Sequence, residues 1–239
     1  MKNLLTTLAL ILTASFTLQV NAQDNQLTEK EKKQGWQLLF NGSNLSGWTS
    51  VGENTIVNEG WSVTPNGEIK LERVNGKRAG DIITKDQYSE FELKLDYKVK
   101  HGANSGVKYL FTKYDKGGWL GFEYQILDFQ VLSDGKVIRE GKSLTSSLYD
   151  IFPPKVKAPI NIDEWNSIRI VCTKNKITHF MNGKKVLTFN KNSKKFMKAM
   201  KNSKFKNTQP TFGQVDKGYI LLQDHECKAM YKNIKIRKL

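Results

Sequence analysis

Three short stretches of this 239-residue chain carry side chains whose type and spacing could do chemistry. The first is Gly121–Asp128, GFEYQILD. Read as a strand, it turns Phe122, Tyr124 and Ile126 to one face and Glu123 and Gln125 to the other. Burying a poorly satisfied polar group costs roughly 1–3 kcal/mol, and a charge costs more. Glu123 is therefore either a site residue or part of a solvated strand face. The second stretch is Gln223-Asp224-His225, where alternation puts Gln223 and His225 on one face and Asp224 on the other. His225 is one of three histidines. Imidazole suits proton transfer near neutral pH or a metal, although no H-x-H or HExxH spacing supports a metal and an exposed or structural histidine is the plainer reading. His101 reads as a loop residue and His179 as a packed strand residue. The third stretch, Asn104-Ser105-Gly106, offers an amide next to a glycine that lets the backbone approach closely.

A retaining glycosidase on a jelly-roll sheet spaces its carboxyl groups as Glu-x-Asp-x-x-Glu, with the working pair about 5–5.5 Å apart. This chain has Glu123, Gln125 and Asp128 at that spacing. The helper carboxylate is an amide and the last side chain is one carbon shorter, which disfavours a standard retaining mechanism. Trp119 follows Gly117-Gly118 and is expected on a flexible loop, stacking on a sugar ring or closing the loop over the core.

The elements that must position these residues are strands. Period-two alternation runs through 61–63, 91–99, 107–111, 167–171, 177–181, 185–189, 218–223 and 230–236. Asn182-Gly183 is a strong hairpin signal, because both residues tolerate the positive φ of a type I′ turn. In Lys191–Lys206, rich in lysine and without an acidic residue, Phe196, Met197 and Met200 fall at helical spacing. The expectation is an all-β, two-sheet antiparallel sandwich with one short helix. A polar face of such a sheet is where a long ligand would lie.

Residues 1–22 have a lysine, an apolar run and a small-residue junction, as a cleavable signal peptide has. The chain is expected to be periplasmic or secreted, without a lipid anchor. Residues 23–34 are expected to be a polar linker or frayed end, and 35–239 a single domain. The formal charge is +15, or +14 without Lys2. It is spread along the chain, which argues against a nucleic-acid partner. No later segment is long and apolar enough to cross a membrane as a helix. Cys172 and Cys227 could form one disulfide, but no CxxC spacing suggests zinc.

Taken in order, Gly35-Trp36 with Leu45-Ser46-Gly47-Trp48, Asn104-Ser105-Gly106-Val107, Glu123–Asp128, Leu148-Tyr149-Asp150, Glu164-Trp165-Asn166 and Gly218–His225 resemble the 3-keto-glucoside 1,2-lyase / 3-keto-2-hydroxy-glucal hydratase family, also described as 3-keto-disaccharide hydrolases. The resemblance implies a concanavalin A-like jelly roll that acts on an oligosaccharide or glycoside already oxidised at C3 by an upstream enzyme. The ketone acidifies the C2 proton, a base removes it, and the C1 substituent leaves by β-elimination; water can then add to the glucal. By resemblance, His225 is the proton-transfer residue or a metal ligand, and Glu123 is a second base or ligand. Gln125, Asn104, Asp128, Gln223 and Trp119 are then expected around the substrate. A divalent ion polarising the ketone is a possible cofactor. The competing expectations are a noncatalytic carbohydrate-binding sandwich and a conventional glycosidase.

Overall fold

A computed structural model describes residues 23–239 except 57–58, 116–117, 129, 132–136, 139–140, 157, 208–210 and 226. The expected signal segment, 1–22, lies outside the described residues. Helix α1 (Glu29–Lys33) precedes β1 (Gln37–Leu38), β2 (Trp48–Ser50), β3 (Trp61–Val63), β4 (Ile69–Leu71), β5 (Ile82–Thr84), β6 (Phe91–Val99), β7 (Asn104–Tyr114) and β8 (Gly118–Leu127). Then come β9 (Gln130–Val131), β10 (Val137–Ile138), β11 (Asn166–Cys172), β12 (Lys176–Met181), β13 (Lys184–Asn190), α2 (Lys194–Lys201), β14 (Tyr219–Leu222) and β15 (Ala229–Lys238). Among the described residues the strands form an eight-stranded sheet, β13-β12-β11-β6-β15-β4-β3 with β1 added beside β15, and a five-stranded sheet, β2-β5-β14-β7-β8. Every named pairing is antiparallel, β9 with β10 included. This is the expected two-sheet jelly-roll sandwich. No helix among the described residues is long and apolar enough to cross a membrane.

Alternation makes the sandwich. Phe91, Leu93, Leu95, Tyr97 and Val99 of β6 point inward and are buried, and they meet Val107 and Tyr109 of β7 and Phe122, Tyr124 and Ile126 of β8 in one core. Phe122 lies edge-on to Tyr109, Phe189, Phe196 and Phe212 at 5.5–5.8 Å between ring centroids. Helix α2 closes this end with Phe196 and Met200, while Met197, expected on the same stripe, is exposed. His179 is buried as expected, its two ring nitrogens 2.7 Å from the Tyr109 hydroxyl and 3.0 Å from the Ser146 carbonyl oxygen. Asn182 and Gly183 turn β12 into β13 with φ of 48° and 78°.

One interruption of the alternation positions the site. Leu110 takes a φ of 48°, and the β7–β8 register shifts between Tyr109 and Thr112. The extra residue is a β-bulge, and beyond it the strand's facing is inverted. Tyr109 and Leu110 both enter the core, and Phe111 turns to the opposite face of the sheet. Glycines make room for the bulge: a Cβ on Gly121 would stand 2.7 Å from Phe111 Cα, and one on Gly218 would come within 2.6 Å of Phe111 N.

Residues 23–34 are not a loose linker. Asn25 N donates to Asn233 Oδ1 (2.7 Å), and Asn233 N donates to Asn25 Oδ1 (2.8 Å). Lys232 pairs with Asp24 at 2.7 Å and Lys235 with Glu31 at 2.5 Å, while Thr28 and Glu31 form a capping box on α1. Reciprocal amide bonds and ion pairs to β15 order a segment that has little apolar surface to bury. Cys172 and Cys227 are both free thiols, so the possible disulfide is not formed.

Candidate active site

The outer face of the five-stranded sheet gathers the polar groups. Register places Lys108 opposite Glu123 and Gly106 opposite Gln125, with Leu221 beside Lys108 on the other flank. Gln223 follows β14 and donates its backbone N–H to the Gly106 carbonyl (3.0 Å), which brings its side chain to the same row. At the centre, Lys108 Nζ lies 3.9 Å from Glu123 Oε2 and 3.7 Å from Asp81 Oδ2, so one ammonium serves two carboxylates. Gly106 leaves the gap in which Glu123 and Gln223 converge: a Cβ there would meet Glu123 Cγ at 3.0 Å and Gln223 Oε1 at 3.2 Å. Gln223 Oε1 is buried and has no hydrogen-bond partner among the described residues.

Beyond β8, residues 146–149 run along its free edge. Ser146 N donates to Gln125 O (2.8 Å), Gln125 N to Ser147 O (3.3 Å) and Tyr149 N to Glu123 O (3.0 Å). This seats Tyr149 beside Glu123, with the Lys204 ammonium 4.2 Å from the Tyr149 ring centroid. The Asp150 carboxylate accepts from Lys204 N at 2.6 Å and holds that turn in place.

Burial pushes the Glu123 carboxyl above its usual range; the charges of Lys108, Lys204 and His225 oppose the rise and that of Asp81 adds to it. Asp81 is also raised, by burial first, with Lys108 opposing. The Tyr149 hydroxyl is raised by burial and by the charges of Glu123 and Asp150. A largely buried carboxylate whose pKa is raised and that sits against a lysine can exchange a proton beside a fixed cation.

Of the residues expected at the site, Glu123, Gln125 and Gln223 share this face. Gln125 is buried, and its Oε1 accepts from Ile126 N (3.0 Å). Asn104 and His225 meet at its end, where Asn104 Nδ2 donates to His225 Nδ1 (3.1 Å). His225 is exposed. Asp128 does not join them. It is buried, and its Oδ2 accepts from Gly102 N at 3.0 Å and lies 3.0 Å from His101 Nδ1, so it braces the 101–103 turn rather than facing a sugar. Trp119 is not on a flexible loop but in β8, stacked on Phe111 with ring centroids 5.5 Å apart, because the bulge brings Phe111 to meet it.

Lys108, Asp81 and Lys204 stand in no motif of the sequence, and Tyr149 stands only within Leu148-Tyr149-Asp150. Lys108 follows Asn104 and Gly106 at period two, a signal that points to the same face once β7 is paired with β8. Lys204 was hidden in a lysine run that reads as solvated.

Residues 35–237 match the 3-keto-alpha-glucoside-1,2-lyase-like domain. The chain belongs to that family. Within the 3-keto-alpha-glucoside-1,2-lyase-like family it is 28% identical over 230 residues to a 3-keto-disaccharide hydrolase of Bacteroides thetaiotaomicron, covering 86% of this chain and 79% of that protein. A crystal structure from Parabacteroides distasonis, described as a glycosyl hydrolase, superposes with a TM-score of 0.78 at 30% identity, over 90% of this chain and 99% of that one. A second one from the same organism, described likewise, gives 0.62 at 27% identity, over 85% and 99%.

The divalent ion expected at Glu123 and His225 finds a poor donor set. Among the described residues no three His, Cys, Asp or Glu side chains gather where they could hold a metal. Glu123 already faces the ammonium of Lys108, and Lys204 also acts on it. Two carboxylates that share one ammonium and one exposed imidazole do not fit a resident divalent ion.

Proposed function

We propose that the protein is an exported enzyme that cleaves 3-keto-glycosides by elimination and can return water to the glucal product, giving net hydrolysis. The observation that carries this reading is the largely buried Glu123 carboxylate with Lys108 Nζ 3.9 Å away. The family match supports the substrate class. Export rests on the sequence of 1–22 alone.

In this reaction Glu123 takes the proton from C2. The electron pair of that bond forms the enolate of the C3 ketone, whose oxygen gathers negative charge against the Lys108 ammonium. The pair then forms the C1–C2 double bond as the C1–O bond breaks. The departing oxygen takes the Tyr149 hydroxyl proton, and the resulting phenolate is stabilised by Lys204. Hydration reverses the roles. Tyr149 accepts a proton from the water that adds to C1, and protonated Glu123 returns its proton to C2, so both residues regain their starting states. Asn104, Gln223 and His225 offer amide and imidazole groups to the sugar hydroxyls. Expulsion of the C1 group through an enolate does not need the paired carboxylates of a retaining glycosidase.

The test is aglycone release from a nitrophenyl glucoside and from its 3-keto derivative. Release from the keto sugar alone supports elimination. Release from both returns the site to a glycosidase built around Glu123, and release from neither, with measurable glycan binding, identifies a binding module.

A further inference from the structure

The outer face of the five-stranded sheet is divided by the Lys108–Glu123 pair. On one side stand Asn104, His225, Gln125 and Gln223. Level with that pair and on its other side lies a hydrophobic cluster separate from the main core: Leu221 and Ile83 continue the Lys108 row and Phe111 lies beyond it, all three buried, with Trp119 and Tyr219 half-buried over them. Trp119 stacks on Phe111 at an interplanar angle of 15° and tilts against Tyr219 at 6.1 Å. Lys108 joins the two halves, its Nζ 5.9 Å from the Phe111 ring centroid and 3.9 Å from Glu123. Trp119 lies four residues from Glu123 along β8, about 13 Å at the usual strand rise.

We infer that this aromatic half is the subsite for the group expelled from C1, and that it selects glycosides whose leaving group is an aryl ring over those with a small or polyhydroxylated one. The inference rests on the elimination reading. There, the base must sit at the bond that divides the sugar from its substituent, and Glu123 sits at the seam between a polar and an apolar surface. The keto sugar has hydroxyls to satisfy and takes the polar half. Its substituent then extends over Trp119 and Tyr219, where only the indole N–H and one phenol are polar, and a flat apolar ring gains stacking without losing hydrogen bonds.

The test is calorimetric binding of phenyl and methyl glucosides of the same anomer, both unoxidised, so that no turnover is needed. A ring stacking on this platform favours the phenyl compound by roughly 3- to 10-fold. Trp119→Ala brings the phenyl-to-methyl ratio close to one. Trp119→Phe keeps most of the preference, and Trp119→Leu, which still covers Phe111, loses it, so the answer does not depend on the alanine variant folding. Equal binding of the two glucosides by the wild-type protein, or a preference unchanged in Trp119→Leu, overturns the assignment. A phenyl preference that depends on Trp119, in a protein that leaves every 3-keto-glycoside intact, keeps the platform and removes the elimination reading.

Discussion

Gly106→Ala separates the site from the fold. The added Cβ would stand 3.0 Å from Glu123 Cγ and 3.2 Å from both Glu123 Oε1 and Gln223 Oε1. The two oxygens are at flexible ends and can move. Glu123 Cγ lies close to its own backbone, so the side chain must rotate or shift by a few tenths of an ångström. Gly106 does not have the positive φ that would make alanine strained. Alanine in a strand also costs the unfolded chain less entropy than glycine, a gain of roughly 0.5–1 kcal/mol that offsets the crowding. Stability should therefore stay within about 1 kcal/mol of wild type. Misplacing a catalytic group by 1 Å costs about 100-fold, so a smaller displacement of both Glu123 and Gln223 should lower kcat/KM on a 3-keto-glucoside roughly 10- to 100-fold. Thermal unfolding and initial rates on the same preparation read both quantities. Activity within threefold of wild type would refute the convergence of Glu123 and Gln223 on the reacting carbons.

Glu123→Gln should reduce kcat by roughly 10²- to 10⁴-fold with a small change in KM, and a loss confined to KM would make Glu123 a binding residue. The rate should rise with pH as Glu123 ionises, along a limb above the usual carboxylate range. Asp81→Asn removes a charge that opposes ionisation and moves that limb to lower pH, whereas Lys108→Met moves it to higher pH; unchanged limbs in both would break the three-group array. His179 is lowered by burial to about 4 from the 6.5 of an unfolded chain, so the unfolded state binds a proton that the folded state refuses between those values. Its contribution is neutral above pH 6.5 and destabilises by about 1.4 kcal/mol per unit as pH falls toward 4. Denaturant titrations of wild type and His179→Gln should diverge in slope across that window, and parallel slopes would contradict the neutral buried imidazole. Activity should survive exhaustive chelation, because cations already occupy the carboxylate; a loss restored by an added divalent metal would reinstate Glu123 and His225 as ligands.

Much of the frame was legible because the strands of a sandwich carry their burial pattern at period two. Phe91–Val99 and Gly121–Leu127 declare their faces residue by residue, and Asn182-Gly183 declares its turn. Glu123 was legible for the same reason, as a charge in an apolar strand. Its partners were not. Lys108 and Asp81 come within 4 Å of each other only through pairings of β7, β14 and β5 that the sequence does not specify. Asp128 looked like a site residue by spacing, but the strand ends at Leu127 and its side chain turns to the 101–103 backbone. Trp119 looked like a loop residue because two glycines precede it. The bulge at Leu110 was hidden because an apolar residue, not a glycine, takes the left-handed φ.

That bulge has an evolutionary reading. One additional residue in β7 sets which side chains beyond it reach the outer face, so losing it would exchange the whole set at once, which no sequence of point substitutions does in a single step. Gly121 in β8 and Gly218, just before β14, hold the space for it. Relatives that lack these two glycines should also lack the insertion and present a different outer surface. Diversification of substrate choice on this scaffold can therefore proceed by length changes in one strand while Glu123 and Lys108 stay where they are.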